Sequence, residues 1–143
     1  IAASHLLFTC NPLQKTPDLS DPQFSQPRTQ SITESTDPKV AAMLQGHVMA
    51  MKGRLEKGMW IRRGDPLFRA LFDNADKITI ELKTMPKGIR VIEMSKDPYV
   101  IKLLHLHSEA VSGFIKDGPA GMAKMHPVPP PPKDVKPQPK ARR

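Results

Sequence analysis

Two histidines stand at the same place in two similar stretches of the chain. "STDPKVAAMLQGHVMAMKGRLEKG", Ser35 to Gly58, carries His47, and "SKDPYVIKLLHLHSEAVSGFIKDG", Ser95 to Gly118, carries His107. On a helix each histidine falls inside an apolar stripe of i, i+3, i+4, i+7 spacing. The stripe is Val40, Met43, Leu44, His47, Val48, Met51 and Leu55 in the first stretch, and Val100, Leu103, Leu104, His107, Val111, Phe114 and Ile115 in the second. Both imidazoles are therefore expected to face the core and to approach each other. Two inward imidazoles can hold haem axially or, with a third ligand from Met51, Cys10 or His126, a copper or zinc ion. The competing reading is structural: each ring is satisfied by a backbone carbonyl or a carboxylate, and no cofactor is needed. His105 cannot join His107 on one ion, because residues two apart on a helix point about 200° from each other. Met43, Met49 and Met51 crowd the first stretch, and core filling is the expectation for them, thioether ligation the alternative.

Other chemistry is absent from the sequence. There is no GxSxG, HExxH or Walker loop and no pair of carboxylates at recognisable spacing, so the chain is not expected to be an enzyme. The single cysteine, Cys10, excludes an intramolecular disulfide, a CxxCH haem attachment and a Cys-rich zinc site.

The elements that position the histidines are legible. In "STDPKV" and "SKDPYV" an Asp precedes a Pro: the carboxylate caps free N–H groups, and Pro at the first helical position has no donor to lose. "GDPLF" at Gly64 to Phe68 repeats the signal, while Gly58 and Gly118 supply helix stops. Helices are predicted near 38–57, 66–76 and 98–117, and "KITIELKTMPKGIRVIEM" alternates apolar and polar residues as a β-hairpin with strands near 77–84 and 88–94. At an offset of sixty, ten of the 28 positions from 31 to 58 are identical to 91–118, including Ser35/Ser95, Asp37/Asp97, His47/His107 and Gly58/Gly118. We read an internal duplication of a strand-then-helix unit. The first copy's leading strand should fall near 17–24, where "PDLSDPQF" is a poor strand. The expected fold is α+β: duplicated units, two long amphipathic helices on a small antiparallel sheet, and extended proline-rich termini. Residues 1–27 form an arm, 28–126 the duplicated domain (repeats about 31–58 and 91–118), and 127–143 a tail.

The formal net charge of +8 suggests an acidic partner. Half of it lies in the tail, where Lys133, Lys136, Lys140, Arg142 and Arg143 face one acid, Asp134, among prolines. Nucleic-acid binding calls for a basic face interleaved with aromatics and is not expected. "WIRRGD", Trp60 to Asp65, offers Trp60, Arg62 and Arg63 to a partner or tucks Trp60 on the core. No apolar run is long enough to span a bilayer. The start at Ile1 fits a processed or truncated chain, and "LLFTC", Leu6 to Cys10, only faintly resembles a lipoprotein cleavage box.

"TES-DP-V" (Thr33 to Val40), "HV" with Met51 four residues after His47, "DPLF" (Asp65 to Phe68), "ADKI" (Ala75 to Ile78), "KG-RV" (Lys87 to Val91), "S-DPYV" (Ser95 to Val100) and "HPVP" (His126 to Pro129) together resemble an uncharacterised family of small bacterial proteins. The resemblance implies a soluble, often exported protein without a named activity, in the periplasm or another exported compartment. The expectation is a non-catalytic accessory subunit or assembly factor of a larger, periplasmic redox complex with an acidic surface. The alternative is a haem- or copper-binding protein using His47 and His107.

Overall fold

A computed structural model describes residues 6–11 and 28–133 of the chain. The elements follow in the order β1 (Leu6–Asn11), β2 (Arg28–Ser35), α1 (Pro38–Glu56), α2 (Pro66–Asp73), β3 (Thr79–Met85), β4 (Gly88–Met94), α3 (Pro98–Asp117) and the short α4 (Pro119–Met122). All three Asp-Pro signals work as expected. The carboxylates of Asp37, Asp65 and Asp97 accept from the backbone N–H of Lys39, Leu67 and Tyr99, and each proline opens its helix. A second hydrogen bond recurs at both long helices: Ser35 Oγ accepts from Asp37 N–H and Ser95 Oγ from Asp97 N–H, each at 3.1 Å. Gly58 and Gly118 follow the helices at φ +63° and +58°, which a side chain would resist. The helix expected over 66–76 stops earlier, at Asp73. There the Asn74 amide turns back to donate to Ala70 C=O, and a single 3-10 turn, Ala75–Lys77, leads into β3.

The four strands form one antiparallel sheet in the order β1-β2-β4-β3. β3 and β4 make the predicted hairpin, with Pro86 and Lys87 in its turn. Gly88 starts β4 because nothing larger fits: a Cβ there would lie 1.9 Å from Thr33 C=O. At the centre β2 pairs with β4, joining the two capped strand–helix segments edge to edge. β1 corrects the sequence reading, since Leu6–Asn11, taken as part of an irregular arm, pairs with Gln30–Ser35 of β2. Residues 17–24 lie outside the described residues. So do residues 134–143 of the tail.

The sheet has an inner face carrying buried Thr29, Thr33, Ile89 and Glu93, while residues of the other parity are half-buried in β2 (Gln30, Ile32, Glu34) and mostly exposed in β3. α1 packs on β4, β2 and β3, whereas α3 packs on β1 and β2 and against α2 and α4. The main core is built by α2 and α3 from Leu67, Phe68, Leu71, Val100, Leu103, Leu104 and Ala110. Fully buried leucines of this kind contribute about 1.5–3 kcal/mol each. α4 lies tight on α3 because both are glycine at the crossing; a Cβ on Gly121 would meet Gly113 C=O at 2.4 Å.

α1 departs from the expected stripe. Its inward face is Val40, Ala41, Leu44, Gln45, Val48 and Leu55, with Met51 half-buried, while Met43 is 72% exposed and His47 is exposed. Gln45 fixes this rotation, since its amide donates to the carbonyls of Met85 and Gly88, both at 2.9 Å. Hydrogen-bonding the hairpin end outweighs burying one more methionine. Met43 and Met49 are therefore surface residues rather than core fillers.

Candidate functional site

The polar side chains that the fold brings together surround one ring, Phe68, at the start of α2. On one side is a pair from the sheet and α3. Glu93 of β4 is buried, accepts from Thr29 Oγ at 3.2 Å, and has His107 Nδ1 3.6 Å from its other oxygen. The His107 ring stands edge-on to Phe68 at 5.6 Å. Burial of the imidazole opposes its protonation, but the close carboxylate and charge of Glu93 outweigh that effect and raise its pKa above the ordinary value.

On the other side lies a larger group. Asp65, 2% exposed, caps α2 and also holds His126, whose Nδ1 lies 2.7 Å from Oδ2 and whose backbone N–H donates to Oδ1 at 3.3 Å. Burial pushes the Asp65 pKa up, yet the His126 and Leu67 hydrogen bonds and the nearby imidazole charge bring it below the usual carboxylate value. The ionised carboxylate accepts, so Nδ1 is the protonated nitrogen of His126. Nε2 is left without this partner, and His126 lines a cleft of ≈ 310 Å³ together with Leu106, Glu109 and Gly113. An imidazole oriented this way by a buried carboxylate can accept a proton or bind a ligand at Nε2.

Arg62 completes the group. It has φ +49°, unusual outside glycine, and its guanidinium lies 5.1 Å from the centres of both Phe68 and Phe114. From there it donates to Met122 C=O at 2.8 Å and Lys124 C=O at 3.3 Å and approaches Asp65 at 3.4 Å. A left-handed backbone outside glycine costs about 1–3 kcal/mol, and surrounding contacts must hold it. Arg62, Asp65 and His126 thus tie the segment after α4 to the loop before α2. Tyr99 extends the attachment by donating its hydroxyl to Pro129 C=O at 3.1 Å, and Val128 packs on the core.

The expected site residues are dispersed by this arrangement. His47 is exposed on α1 while His107 turns toward Glu93, so the two imidazoles do not share a core-facing surface as anticipated. The sheet also offers His47 no counterpart of Glu93, since the position sixty residues earlier is Thr33. His126, proposed as a third metal ligand, has its Nδ1 engaged by Asp65. Trp60 tucks on α2, stacked on Phe72 at 6.0 Å, with Arg63 5.9 Å over its ring. Arg62, expected to meet a partner, is turned into the body, whereas Arg63 and Lys133 are exposed. Lys136, Lys140, Arg142 and Arg143 lie outside the described residues, as does the side chain of Cys10.

Glu93, Asp65 and Phe68 were not singled out from the sequence as members of a site. Asp65 was visible only as a helix cap, and its offset of 61 residues from His126 carries no local signal. Among the described residues no group of three His, Cys, Asp or Glu side chains is placed to hold a metal ion, and no helix is long and apolar enough to cross a membrane. Compared with family models, curated proteins and solved structures, the chain matches none.

Proposed function

We propose that this chain is a non-catalytic accessory subunit or assembly factor that docks on a larger protein complex through its basic, proline-rich tail. The observation that carries the reading is the attachment of the tail's root. Arg62, Asp65 and Tyr99 bind residues 122–129, so the prolines and Lys133 leave the body from a defined place. A fixed root and proline's restricted φ reduce the ordering entropy that binding a tail otherwise costs. The charge cluster beyond suits an acidic surface; the family resemblance favours an exported setting, and a redox complex is our own reading of the partner. We further read the body as two ββα units joined at β2–β4, which accounts for the matched Ser35/Ser95 and Asp37/Asp97 caps.

The test is recovery of native complexes on the tagged full chain and on a chain ending at Lys133, which keeps every described contact. Association should weaken on truncation, and the difference should be greatest at low salt, where screening is slight. Equal recovery by both forms at all salt concentrations would overturn the proposal.

A further inference from the structure

β3 closes one side of the sheet, and among the described residues no strand pairs with its outer edge. It contains no proline and runs in unbroken register with β4 from Thr79 to Met85. The direction of its backbone groups follows from the ladder. Ser35, on the inner face of β2, donates its N–H to Lys87 C=O at 2.8 Å, so the inner residues of β2 and β4 bond one another. Bonding alternates along antiparallel strands, so β4 reaches β3 through the other parity, Arg90 to Lys83 and Ile92 to Glu81. Ile80, Leu82 and Thr84 therefore turn their N–H and C=O groups away from the sheet. Ile80 and Leu82 are only half-buried, and Thr84 is exposed.

The charges beside this edge lack partners within one molecule. Lys83 stands directly opposite Arg90, and like charges so placed are destabilising. Glu81 stands opposite Ile92. Among the described residues neither Glu81 nor Lys83 joins an ion pair. We propose that the β3 edge pairs antiparallel with β3 of a second copy, joining two four-stranded sheets into one of eight. With Leu82 on the twofold axis, the outward groups of Ile80, Leu82 and Thr84 meet those of Thr84, Leu82 and Ile80 of the second copy. The same register sets Glu81 opposite Lys83 of the second copy, twice, at non-hydrogen-bonded positions where side chains approach most closely. Each Lys83 gains the opposite charge that its own sheet withholds, and the two Leu82 side chains meet on the inner face. Registers centred on Glu81 or on Lys83 would instead oppose like charges, so charge selects this one. The contact is independent of the tail reading, since no residue of β3 belongs to the tail's root.

The experiment is sedimentation equilibrium of the full chain under reducing conditions, which keep Cys10 from linking copies. A single strand edge is small for an interface, so the dimer should dissociate reversibly over loadings from about 10 μM to about 1 mM. Glu81→Lys or Lys83→Glu alone places like charges opposite each other twice and should weaken dimerisation about tenfold or more. An equimolar mixture of these two variants should restore it, because one chain then carries both positive charges and the other both negative ones. Lys102→Glu is an equal change of charge on α3, which packs on the other half of the sheet, and should have no effect. All three positions are exposed, so circular dichroism should show each variant folded. A monomer at every loading, a dimer indifferent to the single reversals, a mixture that stays monomeric, or equal loss in Lys102→Glu would overturn the proposal.

Discussion

Replacing His126 by alanine should loosen the C-terminal segment from the body by an amount the contacts allow one to work out. The change deletes a charge-assisted hydrogen bond to a carboxylate that is 2% exposed, and such bonds contribute about 1.5–3 kcal/mol. It also removes ring contacts with Phe68 and Phe114 at 6.4 and 5.7 Å, for which about 0.5–1.5 kcal/mol is typical of an aromatic pair. Asp65 is not left bare, since Leu67 N–H still donates to it and Arg62 is 3.4 Å away. The loss should therefore fall near 2–4 kcal/mol, at or below the roughly 3–5 kcal/mol of an abandoned buried charge. For a domain of this size that corresponds to a fall in Tm of roughly 6–15 °C. Asp65→Asn provides the complementary change, because asparagine caps a helix as well as aspartate but carries no charge. Urea unfolding of both single variants and the double variant gives the coupling, expected at about 1.5 kcal/mol or more; independent sites add to within about 0.5 kcal/mol. Limited proteolysis should find Lys124 and Lys133 more readily cut in His126→Ala. Additive losses, or an unchanged cleavage pattern, would refute the view that Asp65 and His126 hold this segment.

Stability should fall at both ends of the pH range for different reasons. Asp65 titrates lower folded than unfolded, so its contribution is present above about pH 4 and lost as pH falls through the folded value; Asp65→Asn should flatten that acid limb alone. His107 titrates higher folded than unfolded, so its contribution is full below about pH 6.5 and lost as pH rises through the folded value. Glu93→Gln should flatten the alkaline limb, and unfolding free energies measured against pH check both. Gly53→Ala on α1, where a Cβ meets nothing within 4 Å, should raise stability by about 0.5–1 kcal/mol. Gly88→Ala should lower it by about 3 kcal/mol or more, because its Cβ collides with the β2 backbone; thermal melts distinguish the two.

Local rules made much of this fold legible. Asp-Pro at three helix starts, glycine at two helix ends and period-two alternation around Pro86 are short-range signals, and the structure follows them. Two failures share a cause. Nothing within Leu6–Asn11 shows that it will pair with β2 across the proline-rich segment, and nothing within α1 shows that Gln45 will seek the carbonyls of the distant hairpin. Once Gln45 is placed inward, the helix turns and His47 goes out with Met43. The polar group around Phe68 was hidden for the same reason: Asp65 meets His126 and Thr29 meets Glu93 across 61 and 64 residues, where sequence spacing has no period to reveal them.

The central β2–β4 pairing also governs how the molecule assembles in time. Its partners are separated by the whole of α1, α2 and β3, with Arg28 opposite Met94 and Glu34 opposite Gly88. Long loops must close before this seam forms, which slows folding relative to helix–helix docking. During synthesis a ribosome that has delivered residues up to Gly58 has made a strand whose central edge must wait for β4, and an unpaired edge is a template for another chain. Two nascent molecules that meet in this interval can join β2 of one to β4 of the other through the same hydrogen bonds, so exchange of halves is the characteristic misassembly of this architecture.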